Sequence, residues 1–138
     1  MTIATPAVPV SWGELLDKIT ILEIKLARIA EREAHAHVAK EHALLLDIAA
    51  EGLSQHDVAS LVAQLRAVNE ELWEIEDAIR EAECAALFGD EFIRLARAVY
   101  KKNDRRAALK RAINLCLRSE LIEEKSYSGV RESIPLLP

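Results

Sequence analysis

The stretch VASLVAQLRAVNEELWEIEDAIR, residues 58–80, sets Val58, Leu61, Leu65, Val68, Leu72, Ile75 and Ile79 at alternating steps of three and four. A second stretch, LLDKITILEIKLARI at 15–29, does the same with Leu15, Ile19, Leu22, Leu26 and Ile29. That rhythm keeps one apolar face turned toward a partner and predicts antiparallel helix pairing. It points to an architecture and leaves the chemistry open.

Working outward, residues 1–10 contain Pro6 and Pro9 and read as an extended lead-in. Ser11 with Glu14 forms a capping box, so the first helix opens at Trp12. Its stripe weakens at Glu33, His37 and Lys40, and a displaced set follows at Val38, Leu45, Ile48 and Ala49. No Gly or Pro forces a break, so one long helix over about 12–50 is expected, kinked near 33–37. Gly52 closes it, and Ser54 with Asp57 opens a second helix over 57–88. Gly89 ends that helix, and Asp90 caps a third over 91–118, with Phe92, Leu95, Ala96, Val99, Leu109 and Ile113 facing inward. The expectation is an all-α, elongated antiparallel bundle of three main helices: a single helical domain over 11–128 and a tail at 129–138.

With 138 residues, half of them apolar, the chain can bury one core. A net charge of −5 gives no general attraction to nucleic acid. Cys84 and Cys116 read as buried reduced thiols. The segment MTIATPAVPV lacks a basic region and a long apolar run, so no signal peptide, no membrane insertion and a cytoplasmic location are expected.

Two polar surfaces interrupt the stripes. On the second helix, Asn69, Trp73, Glu76 and Arg80 share a face, with Asp77 adjacent. The third helix carries Arg97, Tyr100, Asn103, Asp104, Arg105, Arg106, Lys110 and Asn114, and between Lys101 and Arg111 six bases face one acid. Folding at Gly89 would set Asp77 beside Lys101 and Trp73 beside Arg105. Read plainly, this is a salt-bridged surface. A binding role requires cations left over, for which Arg97, Arg106 and Lys110 are the candidates, able to hold phosphate, carboxylate or an acidic segment. A second candidate cluster is Trp12, Asp17 and Lys18.

Other chemistry is disfavoured. Glu70-Glu71-Leu72-Trp73-Glu74 matches half of a magnesium motif of all-helical nucleoside-triphosphate pyrophosphohydrolases, but no second E-x-x-D follows Asp77. With a continuous first helix, Glu14 and Asp17 would lie about 20 Å from the place such a site needs them. His35, His37, His42 and His56 form no ligand set, and no phosphate loop, nucleophile elbow or zinc spacing occurs. No metal and no cofactor are expected. A straight first helix would also hold Trp12 far from the segment 119–127, unless that helix folds sharply or two subunits meet.

Four stretches together resemble an uncharacterised family of short, all-helical bacterial proteins: SWGELLDKITILEIK (11–25), VNEELWEIEDAIR (68–80), FIRLARAVYKKNDRRAALKRAIN (92–114) and SELIEEKSY (119–127). The resemblance implies an accessory role near sugar-transfer or cell-surface polysaccharide genes and supplies no catalytic residue. The leading expectation is a non-catalytic helical interaction module with a protein partner in polysaccharide assembly, acting as a homodimer. The alternative is a small enzyme or anion-binding protein for a phosphorylated or nucleotide-linked sugar. Its candidates are Trp73, Glu76, Asp77, Arg80, Arg97, Tyr100, Asn103, Asp104 and Arg106.

Overall fold

The computed structural model describes residues 2–126. Four helices carry them: α1 (Trp12–Arg28), α2 (Arg32–Leu53), α3 (Val58–Cys84) and α4 (Asp90–Cys116), with no strand among the described residues. The fold is all-α, but the expected three-helix count is corrected to four. The predicted first helix over 12–50 is two helices, folded back on each other at Ile29–Glu31.

The break needs neither Gly nor Pro. Ile29 takes an extended conformation, and the Glu31 carboxylate accepts the free backbone N–H groups of Glu33 and Ala34 at 3.0 and 2.6 Å. Glu31 thus caps α2, and those two donors hold its carboxyl below the ordinary glutamate value. The return is clamped by Leu26 O, 3.0 Å from His35 Nε2, and by Lys18 with Glu41 at 3.0 Å. The displaced apolar set at 38–49 is therefore the face of a separate helix. Ala49 and Gly52 are its buried residues, while Ile48 is exposed.

α1 and α3 each pack against the other three helices. The core joins Leu16 and Ile19 of α1, Ala49 of α2, Val58, Leu65, Val68 and Leu72 of α3, and Leu109 and Ile113 of α4. Each large aliphatic side chain sealed there contributes about 1.5–3 kcal/mol relative to exposure.

The α3–α4 hairpin also closes earlier than Gly89. Ala86 sits at φ 54°, Leu87 N–H donates to Ala82 O at 2.9 Å, and Ala86 N–H donates to Glu83 O at 3.0 Å. This Schellman cap ends α3 without glycine. α4 ends in the same way: Arg118 lies at φ 53° and Ser119 N–H reaches Asn114 O at 2.7 Å.

The shorter hairpin resets the α3–α4 register. Lys102 pairs with Glu71, and Arg105 donates to Gln64 at 2.8 Å. Trp73 and Asp77 instead line one cleft with Asn103 and Arg106, while Lys101 and Arg105 line another with Gln64 and Glu71. The expected facing of Asp77 on Lys101 and of Trp73 on Arg105 is thereby overturned. Both cysteines are free thiols, but Cys84 is exposed rather than buried. No helix of the described residues is long and apolar enough to cross a membrane. Tyr127 and the tail at 129–138 lie outside the described residues.

Candidate functional site

Three polar side chains of α4, spaced by four residues, reach α1. Arg106 donates to both carboxylate oxygens of Asp17, Nε to Oδ1 at 2.9 Å and Nη2 to Oδ2 at 2.5 Å. Lys110 Nζ meets Glu14 at 2.8 Å, and Asn114 Oδ1 accepts the Gly13 N–H at 2.6 Å. α1 and α4 run antiparallel, so 13, 14 and 17 meet 114, 110 and 106 in reverse order. From α3, Asn69 Nδ2 donates to Asp17 Oδ1 and to Thr20 Oγ1, both at 2.9 Å, while the Thr20 hydroxyl donates to Asp17 O at 2.8 Å.

This network is closed. Asp17 is 2% exposed, and its carboxylate accepts three hydrogen bonds. Those bonds raise the Arg106 pKa above its ordinary value, first through the hydrogen bond with Asp17. No buried side-chain nitrogen or oxygen among the described residues lacks a partner. A charge sealed in this way is held in one geometry.

The opening motif now has a physical reading. The Ser11 hydroxyl accepts the Glu14 N–H at 3.1 Å and caps α1. The Trp12 ring lies against Gly52, the last buried residue of α2. Trp12 N–H donates to Ser119 Oγ at 3.2 Å, so the two ends of the described domain meet within one chain. The folded-back α1 makes that possible without a subunit boundary. Lys110 also contacts Glu123 at 3.5 Å, and Arg111 contacts Glu124 at 3.2 Å, fastening 119–124 beside α1.

Burial alone would raise the Glu123 carboxyl, but Lys110 and Lys125 outweigh it and hold the group below the ordinary glutamate value. The clasp is therefore complete above that value and is lost as pH falls through the lower, folded one. Solvent screening limits its worth to below about 1 kcal/mol. The protection factor of the Ser119 amide, its exchange rate taken relative to the intrinsic rate at the same pH, is expected to fall several-fold at acid pH, and Glu123→Gln is expected to lower it equally at neutral pH. A protection factor that is insensitive to both changes would disprove the clasp.

Next to the network lies a cleft of about 360 Å³ between α1, α3 and α4. Its apolar part is Ile21, Ile24 and Leu72; its polar rim is Asn69, Trp73, Glu76, Asp77, Arg80, Asn103 and Arg106. Trp73 is braced by Arg28, whose guanidinium lies 5.8 Å from the ring centroid and pairs with Glu74 at 2.5 Å. Arg80 lies 3.6 Å from Glu76. Asp77 and Asn103 have no side-chain partner among the described residues.

Six candidate residues therefore share one cleft: Trp73, Glu76, Asp77, Arg80, Asn103 and Arg106. Three do not. Arg97 lies with Lys101 on another face of α4, Tyr100 is exposed, and Asp104 is half-buried outside the cleft. The cluster of Trp12, Asp17 and Lys18 divides into a plug on Gly52, a buried ion pair and a surface bridge. Glu70, Glu71 and Glu74 turn to Arg66, Lys102 and Arg28, so this triad does not converge on a cation. Missed by sequence reasoning were Gly13, Glu14, Thr20 and the inward role of Lys110 and Asn114. The row Arg106, Lys110, Asn114 at steps of four, set against 17, 14 and 13, was the signal that could have found them.

Residues 7–135 match one protein family, described as a family of unknown function, DUF6165. No curated protein and no solved structure matches the chain.

Proposed function

We propose, for a chain that belongs to this family of unknown function, a non-catalytic recognition role in which the α1/α3/α4 cleft holds a small, neutral, hydroxyl-rich molecule such as a sugar unit. One observation carries this reading. The cations of the cleft are already neutralised, Arg106 by Asp17 and Arg80 by Glu76, whereas Asp77 and Asn103 stand without partners among the described residues. Phosphate would find little net attraction there. A hydroxyl both donates and accepts, and so suits a carboxylate beside an amide over an apolar floor. The envelope-saccharide setting implied by the resemblance agrees with such a ligand. Accessory service in surface-polysaccharide assembly is the role that follows.

Thermal unfolding with neutral mono- and oligosaccharides, sugar phosphates and nucleotide sugars tests the proposal. A neutral saccharide at about a hundred times its Kd adds about 2.7 kcal/mol, which corresponds to a rise of several degrees in Tm. Trp73→Ala and Asp77→Ala are expected to abolish the rise, and Lys18→Ala, on the surface away from the cleft, to keep it. A response restricted to the phosphorylated compounds, or no response at all, rejects the reading.

A further inference from the structure

One oxygen of the residues around Asp17 takes no part in their network. Asn69 is 5% exposed, and both of its side-chain hydrogen bonds leave from Nδ2, to Asp17 Oδ1 and to Thr20 Oγ1. A carboxylate only accepts, so the branch of the amide that faces α1 is the NH2 group and the oxygen is the other branch. Asn69 Oδ1 accepts no hydrogen bond from the described residues. Among those residues no buried side-chain oxygen lacks a partner, so this one reaches solvent, and the space that Asn69 lines is the α1/α3/α4 cleft.

Its neighbours there are the buried Ile24 and Leu72, whereas Asp77 and Asn103 are exposed at the mouth. Asn69 Oδ1 is thus an acceptor near the floor, among aliphatic side chains that offer no donor. The amide cannot turn to hide it. Rotation would press the oxygen against the Asp17 carboxylate, which Arg106 holds through two hydrogen bonds. The acceptor is fixed in advance, and a ligand group that covers it without donating leaves it unsatisfied. Arg106 lines the same cleft and keeps N–H groups beyond the two given to Asp17, so a group that both donates and accepts is matched on both counts.

We infer that Asn69 is the specificity-determining residue of the cleft, and that a saccharide enters with a free hydroxyl pointing inward to donate to Asn69 Oδ1. This rests on the ligand reading above and narrows it. A sugar whose inserted position is deoxygenated, methylated or closed in a glycosidic bond is rejected.

Isothermal titration calorimetry with the neutral saccharide that gives the largest rise in Tm, and with its monodeoxy analogues, tests the inference in two proteins. In the wild-type chain, at least one deoxy analogue is expected to bind about tenfold or more weakly than the parent sugar. In Asn69→Ala the same analogue is expected to bind as well as the parent, because the coupling between that hydroxyl and Asn69 is gone. A wild-type chain that discriminates no analogue, or losses that are equal in both proteins for every analogue, overturns the inference and leaves the ligand reading standing. No saccharide binding to the wild-type chain overturns both. A second readout does not depend on how Asn69→Ala folds: the side-chain amide nitrogen resonance of Asn69 in the wild-type chain. It is expected to shift at saturation with the parent sugar and to shift much less with the discriminated analogue. Equal shifts with the two, or none with the parent, overturn the contact.

Discussion

The Arg106→Ala variant is expected to lose about 3–5 kcal/mol of stability, because it leaves the Asp17 carboxylate buried without its counter-charge. Asp17 is 2% exposed, whereas the Arg106 side chain retains 30% of its surface. The two halves of the pair are therefore not equivalent. Asp17→Asn frees a guanidinium that can turn to water, and the amide oxygen it introduces can keep one bond from Asn69. Its expected cost is about 1–2 kcal/mol, near that of losing a charge-assisted hydrogen bond. Replacing both partners together, Asp17→Leu with Arg106→Met, is expected to cost about 1–3 kcal/mol, less than Arg106→Ala, since the pair's buried charge is gone and only one Asn69 N–H loses its acceptor. Urea unfolding of the four chains separates these cases. Equal losses for the two single variants, or a double variant worse than Arg106→Ala, would show that the pair is not the unit described. The comparison also bears on function, because a pair that behaves this way fixes α1 against α3 and α4 and so shapes the wall of the cleft.

The all-α class was readable from residue spacing, but the number of helices and the parallel course of α1 and α3 were not. The two stripes at 15–29 and 58–79 identify the faces that form the core, with Leu16 as a neighbour on the same side of α1. The connection between α1 and α2 was hidden because its signal is unusual. Glu31 does the capping that Ser, Thr, Asp or Asn ordinarily does, and Ile29 leaves the helix without Gly or Pro. The register slip in the stripe near 33–37 recorded the consequence but read equally well as a kink. The α3–α4 turn misled for the opposite reason. Gly89 looked like the hinge, yet Ala86 takes the left-handed conformation, so the helices close earlier and Asp77 faces α1 rather than Lys101. Six of the nine sequence candidates line one cleft because they share helix faces that periodicity defines. The link from Asp17 to Arg106 left one trace, the row 106, 110, 114 matching 17, 14, 13 in reverse, because the chain reversal that brings them together is not announced by composition.

Gly13→Ala is the second large effect, expected at about 3 kcal/mol. A Cβ at Gly13 would stand 2.5 Å from the Lys110 carbonyl oxygen and 3.0 Å from Asn114 Oδ1. The nearer atom is α4 backbone and cannot swing aside, so α1 and α4 must separate. Separation breaks the 2.6 Å bond from Gly13 N–H to Asn114 and strains Lys110 against Glu14. The gain in helix propensity from alanine, at most about 1 kcal/mol, does not offset this. The other glycines supply the controls. At Gly52 the contact is 2.6 Å but falls on the Trp12 ring, a side chain that can rotate, so Gly52→Ala is expected to cost less than Gly13→Ala. At Gly89 nothing lies within 4 Å, and Gly89→Ala is expected to cost below about 1 kcal/mol. Thermal unfolding should therefore rank the variants Gly13, Gly52, Gly89 from most to least damaging. A Gly13→Ala chain as stable as the original would mean that α1 and α4 do not approach backbone to backbone, and the Asp17–Arg106 contact that depends on that approach would fall with it.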